Sequence, residues 1–156
     1  MKVTLILVDK TTDKHFDAGI NDYAGRIKHY LPFEITIIPE LKNTKSLSEE
    51  QQKEKEGEQI LKLLTSSDTV VLLDEHGKEM RSIEYAQWLQ KKQATAKRLV
   101  FVIGGPYGFS PAVYSRADEK ISLSKMTFSH QMVRLIFTEQ LYRACTIIKG
   151  EPYHHE

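Results

Sequence analysis

The chain has 156 residues, enough for one domain with a real hydrophobic core and too few for two comfortable ones. A net charge of +1, with 40% hydrophobic and 28% charged residues, fits a globular protein and leaves no general electrostatic footprint for nucleic acid. Any RNA-binding surface must therefore come from local clustering or from joining two subunits.

The longest apolar runs, at 70–73 and 99–103, are strand length, so no transmembrane helix and no membrane partner are expected. The short apolar run at the start ends in Asp9 and lacks the features of a secretory signal. It reads as a first strand, and the cytoplasm is the expected address. Cys145 stands alone, which excludes an internal disulfide, and its apolar helical surroundings point to a small buried hydrophobe.

In chain order, residues 3–8 read as a strand. Residues 13–30 read as a helix with Phe16, Ile20, Tyr23 and Ile27 on one face. Pro32 closes that helix, and 33–38 is the next strand. After a polar loop at 43–48, Ser48 caps a charged helix reaching about Leu64, with Ile60, Leu61 and Leu64 turned inward. Residues 69–73 form a third strand, followed by a turn at 74–78. Ser82 is expected to cap the next helix. A fourth strand at 98–103 runs into Gly104-Gly105-Pro106-Tyr107-Gly108. A short helix at 111–116 and a strand at 120–123 follow. The last helix begins near His130 and carries Val133, Ile136, Phe137, Leu141, Ala144 and Ile148 as a buried stripe, before a polar tail from Gly150. Strands alternate with helices and are almost continuously hydrophobic, which predicts a single α/β domain around a mostly parallel sheet.

Ligands of such sheets sit beyond the carboxyl ends of the strands, where the loops at 73–78, 104–108 and 122–129 converge. Glycine in the second loop lets backbone approach a ligand closely. The chain has no GxGxxG or GxxxxGK[ST] run, and no glycine turn follows the first strand, unlike ordinary Rossmann methyltransferases. No HExxH or Cys/His ligand spacing exists, so no metal site is expected, and His154-His155 read as a solvated tail. The densest polar functionality runs from Ser124 through His130 to Arg143. On pattern alone, Thr127 or Ser129 is an N-cap and Glu139–Arg143 a surface pair. The functional alternative is a loop gripping a ligand, with Arg143 aimed at an anion.

Five blocks carry a resemblance. They are Leu73-Asp74-Glu75-x-Gly77-Lys78, Ile103-Gly104-Gly105-Pro106-x-Gly108, Leu123-Ser124-x-Met126-Thr127-x-x-His130-x-x-x-Arg134, Glu139-Gln140-x-Tyr142-Arg143-Ala144 and Pro152-Tyr153-His154. In order and spacing they resemble the bacterial RlmH family of SPOUT methyltransferases. The first half, including Lys55-Glu56-Gly57-Glu58, is compatible but less distinctive.

The resemblance implies a C-terminal trefoil knot over about residues 70–156, which general rules on chain threading would reject. It implies a homodimer that takes its methyl group from S-adenosylmethionine. The implied acceptor is N3 of a pseudouridine in large-subunit ribosomal RNA on the assembled ribosome, with no role for DNA. It places Leu73, Gly104, Gly105, Leu123, Ser124, Lys125, Met126, Thr127 and Phe128 at the cofactor. Arg143, Tyr153 and His154 then form the acceptor side, with the tail folding over the site; His130 or His154 removes the imide proton and Arg143 steadies the anion. The rival readings are a SPOUT enzyme acting on another RNA such as a tRNA, and a non-catalytic ribosome-binding factor that kept the fold. A flavodoxin-like or receiver domain is disfavoured by the missing early acidic or phosphate-binding loop.

Overall fold

The aliphatic runs form strands because both of their faces are covered. In the computed structural model, which describes residues 1–155, these are β1 (Lys2–Val8), β2 (Phe33–Ile38), β3 (Thr69–Glu79), β4 (Arg98–Ile103) and β5 (Glu119–Ser122). They pair in the order β2-β1-β4-β3-β5, all parallel. Val3, Leu5 and Leu7 of β1 join one core cluster, while Ile6 and Val8 join another on the opposite face. This explains why the strand shows no polar alternation.

Three helices cover the first face: α1 (Lys14–Ile27), α3 (Ser82–Thr95) and α5 (Met132–Lys149). Phe101 of β4 packs against Phe137 of α5 at 4.8 Å between ring centroids, and both are fully buried. Each such side chain stabilises the fold by about 1.5–3 kcal/mol. Cys145 is buried on the same face, and burial pushes its thiol up to about 12, as expected of a packing residue. Two helices cover the other face: α2 (Glu49–Lys62), through Ile60, and α4 (Pro111–Arg116), through Val113.

The structure corrects several expected boundaries. β3 does not end at Leu73 but continues to Glu79. Leu73 and Lys78 both pair with Ile121, so Asp74–Gly77 bulges out of the ladder and the strand then rejoins it. Gly77 makes the return possible, since a Cβ there would lie 2.7 Å from the backbone of Lys120 and Ile121. Ser82 is the first helical residue of α3 rather than its cap. The Arg81 amide donates to Glu84 Oε1, and the Ser82 hydroxyl donates to Gln140 Oε1. β5 lies one residue earlier than expected, and α1 ends at Ile27 rather than Tyr30. α5 starts at Met132, two residues late, because Ser129 anchors its first turn. The Ser129 Oγ accepts from the Met132 amide and its carbonyl accepts from Val133.

An ion pair ties β4 to the turn before β3. Arg98 donates to both Asp68 oxygens, at 2.9 and 2.6 Å, and the Thr65 amide adds a third bond. Asp68 is buried, and the Arg98 bonds hold its carboxyl below the usual range. A folded-state pKa below the unfolded one means the stabilisation is present above the ordinary carboxylate value of about 4 and is lost as pH falls through the folded value. Urea denaturation at stepped pH is expected to show this acid loss, and Asp68→Asn is expected to flatten it while lowering stability at neutral pH.

Candidate active site

The bulge of β3 and the loops that follow β4 and β5 enclose a cleft of about 390 Å³ on these three neighbouring strands. Its walls include Leu73, Gly104, Gly105, Leu123, Ser124, Met126, Thr127 and Phe128, so eight predicted cofactor residues converge there. His130 and Val133 close one side from the start of α5. Lys125 does not line the cleft; it is exposed and its ammonium lies 3.8 Å from Glu79.

Short internal hydrogen bonds hold the loop after β5. The Ser122 hydroxyl donates to the Ser124 carbonyl at 2.8 Å, and Ser124 Oγ accepts from the Met126 amide at 2.9 Å. In the loop after β4, the Gly108 amide donates to the Gly105 carbonyl. The two glycines expected to admit a ligand face protein on one side: a Cβ on Gly105 would lie 2.7 Å from the Glu56 carboxylate, and one on Gly104 would lie 3.0 Å from the Phe109 ring. Glu56 is buried in α2, and burial pushes its pKa up against a bond from Gln52. The Lys55–Glu58 block therefore has a clear place in the fold, behind the glycine loop, which its charged sequence did not reveal.

Met126 is 78% exposed at the cleft, with Tyr107 and Tyr114 also exposed beside it. Apolar surface displayed around a concave site marks a place where something binds. The cleft's charge is one-sided. Asp74 and Glu75 contribute carboxylates, and none of the lining residues is Lys or Arg.

The other predicted catalytic residues gather elsewhere. Arg143 donates to Glu139 Oε1 through Nε and Nη2, at 3.1 and 2.6 Å, and Tyr153 donates to the same oxygen at 3.0 Å. The Arg143 guanidinium also sits 4.8 Å from the Tyr153 ring centroid. Its Nη1 is 3.1 Å from His154 Nδ1, and because a guanidinium can only donate, that nitrogen is the acceptor. Burial and bonds to Tyr23 and Glu139 push the Tyr153 hydroxyl well up, so it stays protonated. Arg143, Tyr153 and His154 thus form one half-buried cluster, with Glu139 as its unforeseen hub. The pair expected on the surface is a structural centre for the tail.

His130 does not belong to this cluster. Eleven helical steps lead from Met132 to Arg143, about 16 Å along the axis of α5. The structure brings eight of the nine residues expected at the cofactor together with His130, and the three expected on the acceptor side with one another.

Known proteins are similar to this chain over nearly its whole length. Residues 1–154 match the family described as "Predicted SPOUT methyltransferase". A protein of Phocaeicola vulgatus named ribosomal RNA large subunit methyltransferase H is 66% identical over 157 residues, covering the whole of both chains. A Bacteroides fragilis protein of the same name is also 66% identical over the full length of both, and one from Porphyromonas gingivalis is 54% identical over the full length of both. The chain belongs to the SPOUT methyltransferase family.

Proposed function

We propose that this chain is a homodimeric, cytoplasmic methyltransferase that uses S-adenosylmethionine to methylate N3 of a pseudouridine in large-subunit ribosomal RNA on the assembled ribosome. The observation that carries the reading is the cleft between the β3 bulge and the loops after β4 and β5, the segments on which the cofactor residues were expected. Its volume lies in the range of small-molecule sites. Loop backbone at Gly104, Gly105 and 123–127 suits the polar edges of an adenine, and Leu73, Met126 and Phe128 supply apolar contact. Family membership and full-length relatives named for ribosomal RNA support the acceptor class. A knotted passage beginning at about residue 70 belongs to the same reading.

The donor, when bound, supplies a methyl group on a positively charged sulfur. The chain's own residues do the rest. The acceptor imide must lose its proton before or during transfer, and its nitrogen lone pair then forms the new N–C bond as the C–S pair stays on sulfur. His130, exposed at the cleft, is placed to take that proton. His154 is less suited, since its Nδ1 is engaged by Arg143. Arg143, with Tyr153, steadies the anion. Because none of the cluster's residues lines the cleft of its own chain, the dimer joins one subunit's cluster to its partner's cleft.

The test is calorimetric titration with S-adenosylmethionine, the mass in solution, and methyl transfer to ribosomes lacking the modification. Saturable binding by a dimer and transfer to pseudouridine N3 are expected. Transfer to tRNA instead would move the acceptor, and ribosome association without cofactor binding would make this a non-catalytic factor.

A further inference from the structure

We propose that Asp74 makes the cleft discriminate between the positively charged methyl donor and its neutral demethylated product, so that spent cofactor is released by loss of charge. The inference rests on the cofactor reading above and assigns a role to a residue outside the expected binding set.

Two carboxylates, those of Asp74 and Glu75, line the cleft, and no Lys or Arg shares that lining, although Lys120 lies near enough to act on Asp74. Among the described residues Asp74 forms no ion pair within 4 Å. Its charge is therefore available to a ligand rather than spent on the protein. It is also fixed in place: Tyr114 donates to Oδ2 at 2.5 Å, and the His76 amide donates to Oδ1 at 2.8 Å. A carboxylate has about four acceptor sites, so both oxygens keep capacity toward the cleft. Partial burial pushes its pKa up, but the Tyr114 and His76 bonds outweigh this and leave it below the usual range. Burial and the same bond push the Tyr114 hydroxyl up to about 12, so it remains a donor throughout the working range.

The charged groups near Asp74 are few. His76 and Glu75 are adjacent in the bulge, where the His76 ring lies 3.5 Å from the Glu75 carboxylate. Lys120 of β5 lies 5.6 Å from the Tyr114 ring centroid and does not line the cleft. Glu75 is a weaker candidate for the discriminating charge. Its side chain is 55% exposed, so solvent screens it, and its one hydroxyl partner, Thr127, is 3.5 Å away.

A sulfonium has no N–H or O–H and does not titrate. It can be recognised only by shape and by charge, and a nearby carboxylate in a partly dry cleft is the simplest device for the second. When the methyl group leaves, the C–S bonding pair remains on sulfur and the fixed positive charge disappears. The ligand's amino and carboxyl groups are unchanged. A carboxylate facing the sulfur thus holds the donor more tightly than the product, whereas one facing the amino group would hold both equally.

Calorimetry on the full-length protein separates these cases with three probes: S-adenosylmethionine, S-adenosylhomocysteine and sinefungin, whose amine replaces the methylated sulfur with another cation. Wild-type protein is expected to bind the two cationic ligands more tightly than the neutral one. Asp74→Asn keeps the shape and an acceptor for Tyr114, and is expected to weaken both cationic ligands by about 10-fold while changing the neutral one by less than about 2-fold. Glu75→Gln is expected to shift all three by less than about 3-fold. Equal weakening of all three ligands in Asp74→Asn, or no change in any, overturns the proposal. Binding of none of them by folded wild-type protein overturns the cofactor reading and the proposal together. Unchanged circular dichroism and melting of Asp74→Asn keep misfolding apart from these outcomes.

Discussion

Replacing Arg134 with alanine is expected to lower stability by about 3 kcal/mol, a fall of roughly 6–12 °C in melting temperature for a domain of this size. Arg134 is fully buried, and among the described residues no carboxylate pairs with it. It lies in the first turn of α5, where the helix dipole disfavours a cation, and burial pulls its pKa down against the influence of Asp9. The residue is retained against these costs because its fork binds three acceptors: the Val8 carbonyl at 2.7 Å, the Thr11 hydroxyl at 3.0 Å and the His130 carbonyl at 3.0 Å. Each such charged bond contributes about 1.5–3 kcal/mol, enough together to outweigh desolvation of the guanidinium. The bonds strap the turn after β1, where Asp9 holds a left-handed φ of 70°, to the segment that sets His130 at the cleft. Arg134→Met separates the alternatives, since it keeps most of the volume and removes every donor. Thermal melts of a Met variant as stable as the wild type would sink the strap argument; melts matching those of the alanine variant would support it.

Arg134 also marks where sequence reading stops. Hydrophobic spacing identified α5, its buried stripe and the strands, because covered strands and one-sided helices write their environment directly into residue order. The same logic sends every arginine outward. Burial of one is decided by a carbonyl at the end of β1 and a hydroxyl in the turn after it, more than a hundred residues away, which no local pattern encodes. The extension of β3 failed to show for a related reason. Asp74–Gly77 reads as a turn, and only the backbone of Ile121 and Lys120, seen against Gly77, reveals that the strand resumes.

The candidate site divides in the same way. Loops at strand ends were legible because α/β topology places ligands there, and the quoted motifs then selected the residues. Asp74 lay inside a quoted motif but carried no role, since its meaning depends on Tyr114 and on a cleft lining that includes no Lys or Arg. Glu56 sat in a run of Lys and Glu that reads as solvated, yet one carboxylate of that run packs behind Gly105. Glu139–Arg143 has helical spacing and so reads as a surface pair. The tail folding back with Tyr153 and His154 turns it into a half-buried cluster.

That cluster gives the largest functional effect expected. Arg143→Ala should lower the turnover of methyl transfer by about 10²- to 10³-fold, the scale of removing one donor to a developing anion, while cofactor affinity changes by less than about 2-fold. The asymmetry follows from position, because the cluster serves the acceptor side and none of its residues lines the cleft assigned to the cofactor. It follows also from hydrogen-bond capacity. Three of the five guanidinium N–H groups are committed to Glu139 and His154, so two remain for an acceptor oxygen. Glu139 fixes the fork's direction, which an ammonium cannot reproduce, so Arg143→Lys is expected to recover only a small part of the loss. The pH profile supplies a second readout. A guanidinium that stabilises the imide anion lowers the pH at which the anion forms, so its removal should move the rising limb of the rate to higher pH. Rates measured on unmodified ribosomes across pH 6 to 10, with dimer mass checked in parallel, decide the matter. Undiminished transfer by dimeric Arg143→Ala would remove Arg143 from the acceptor side, and a lowered rate with an unshifted profile would leave it only a role in holding the tail.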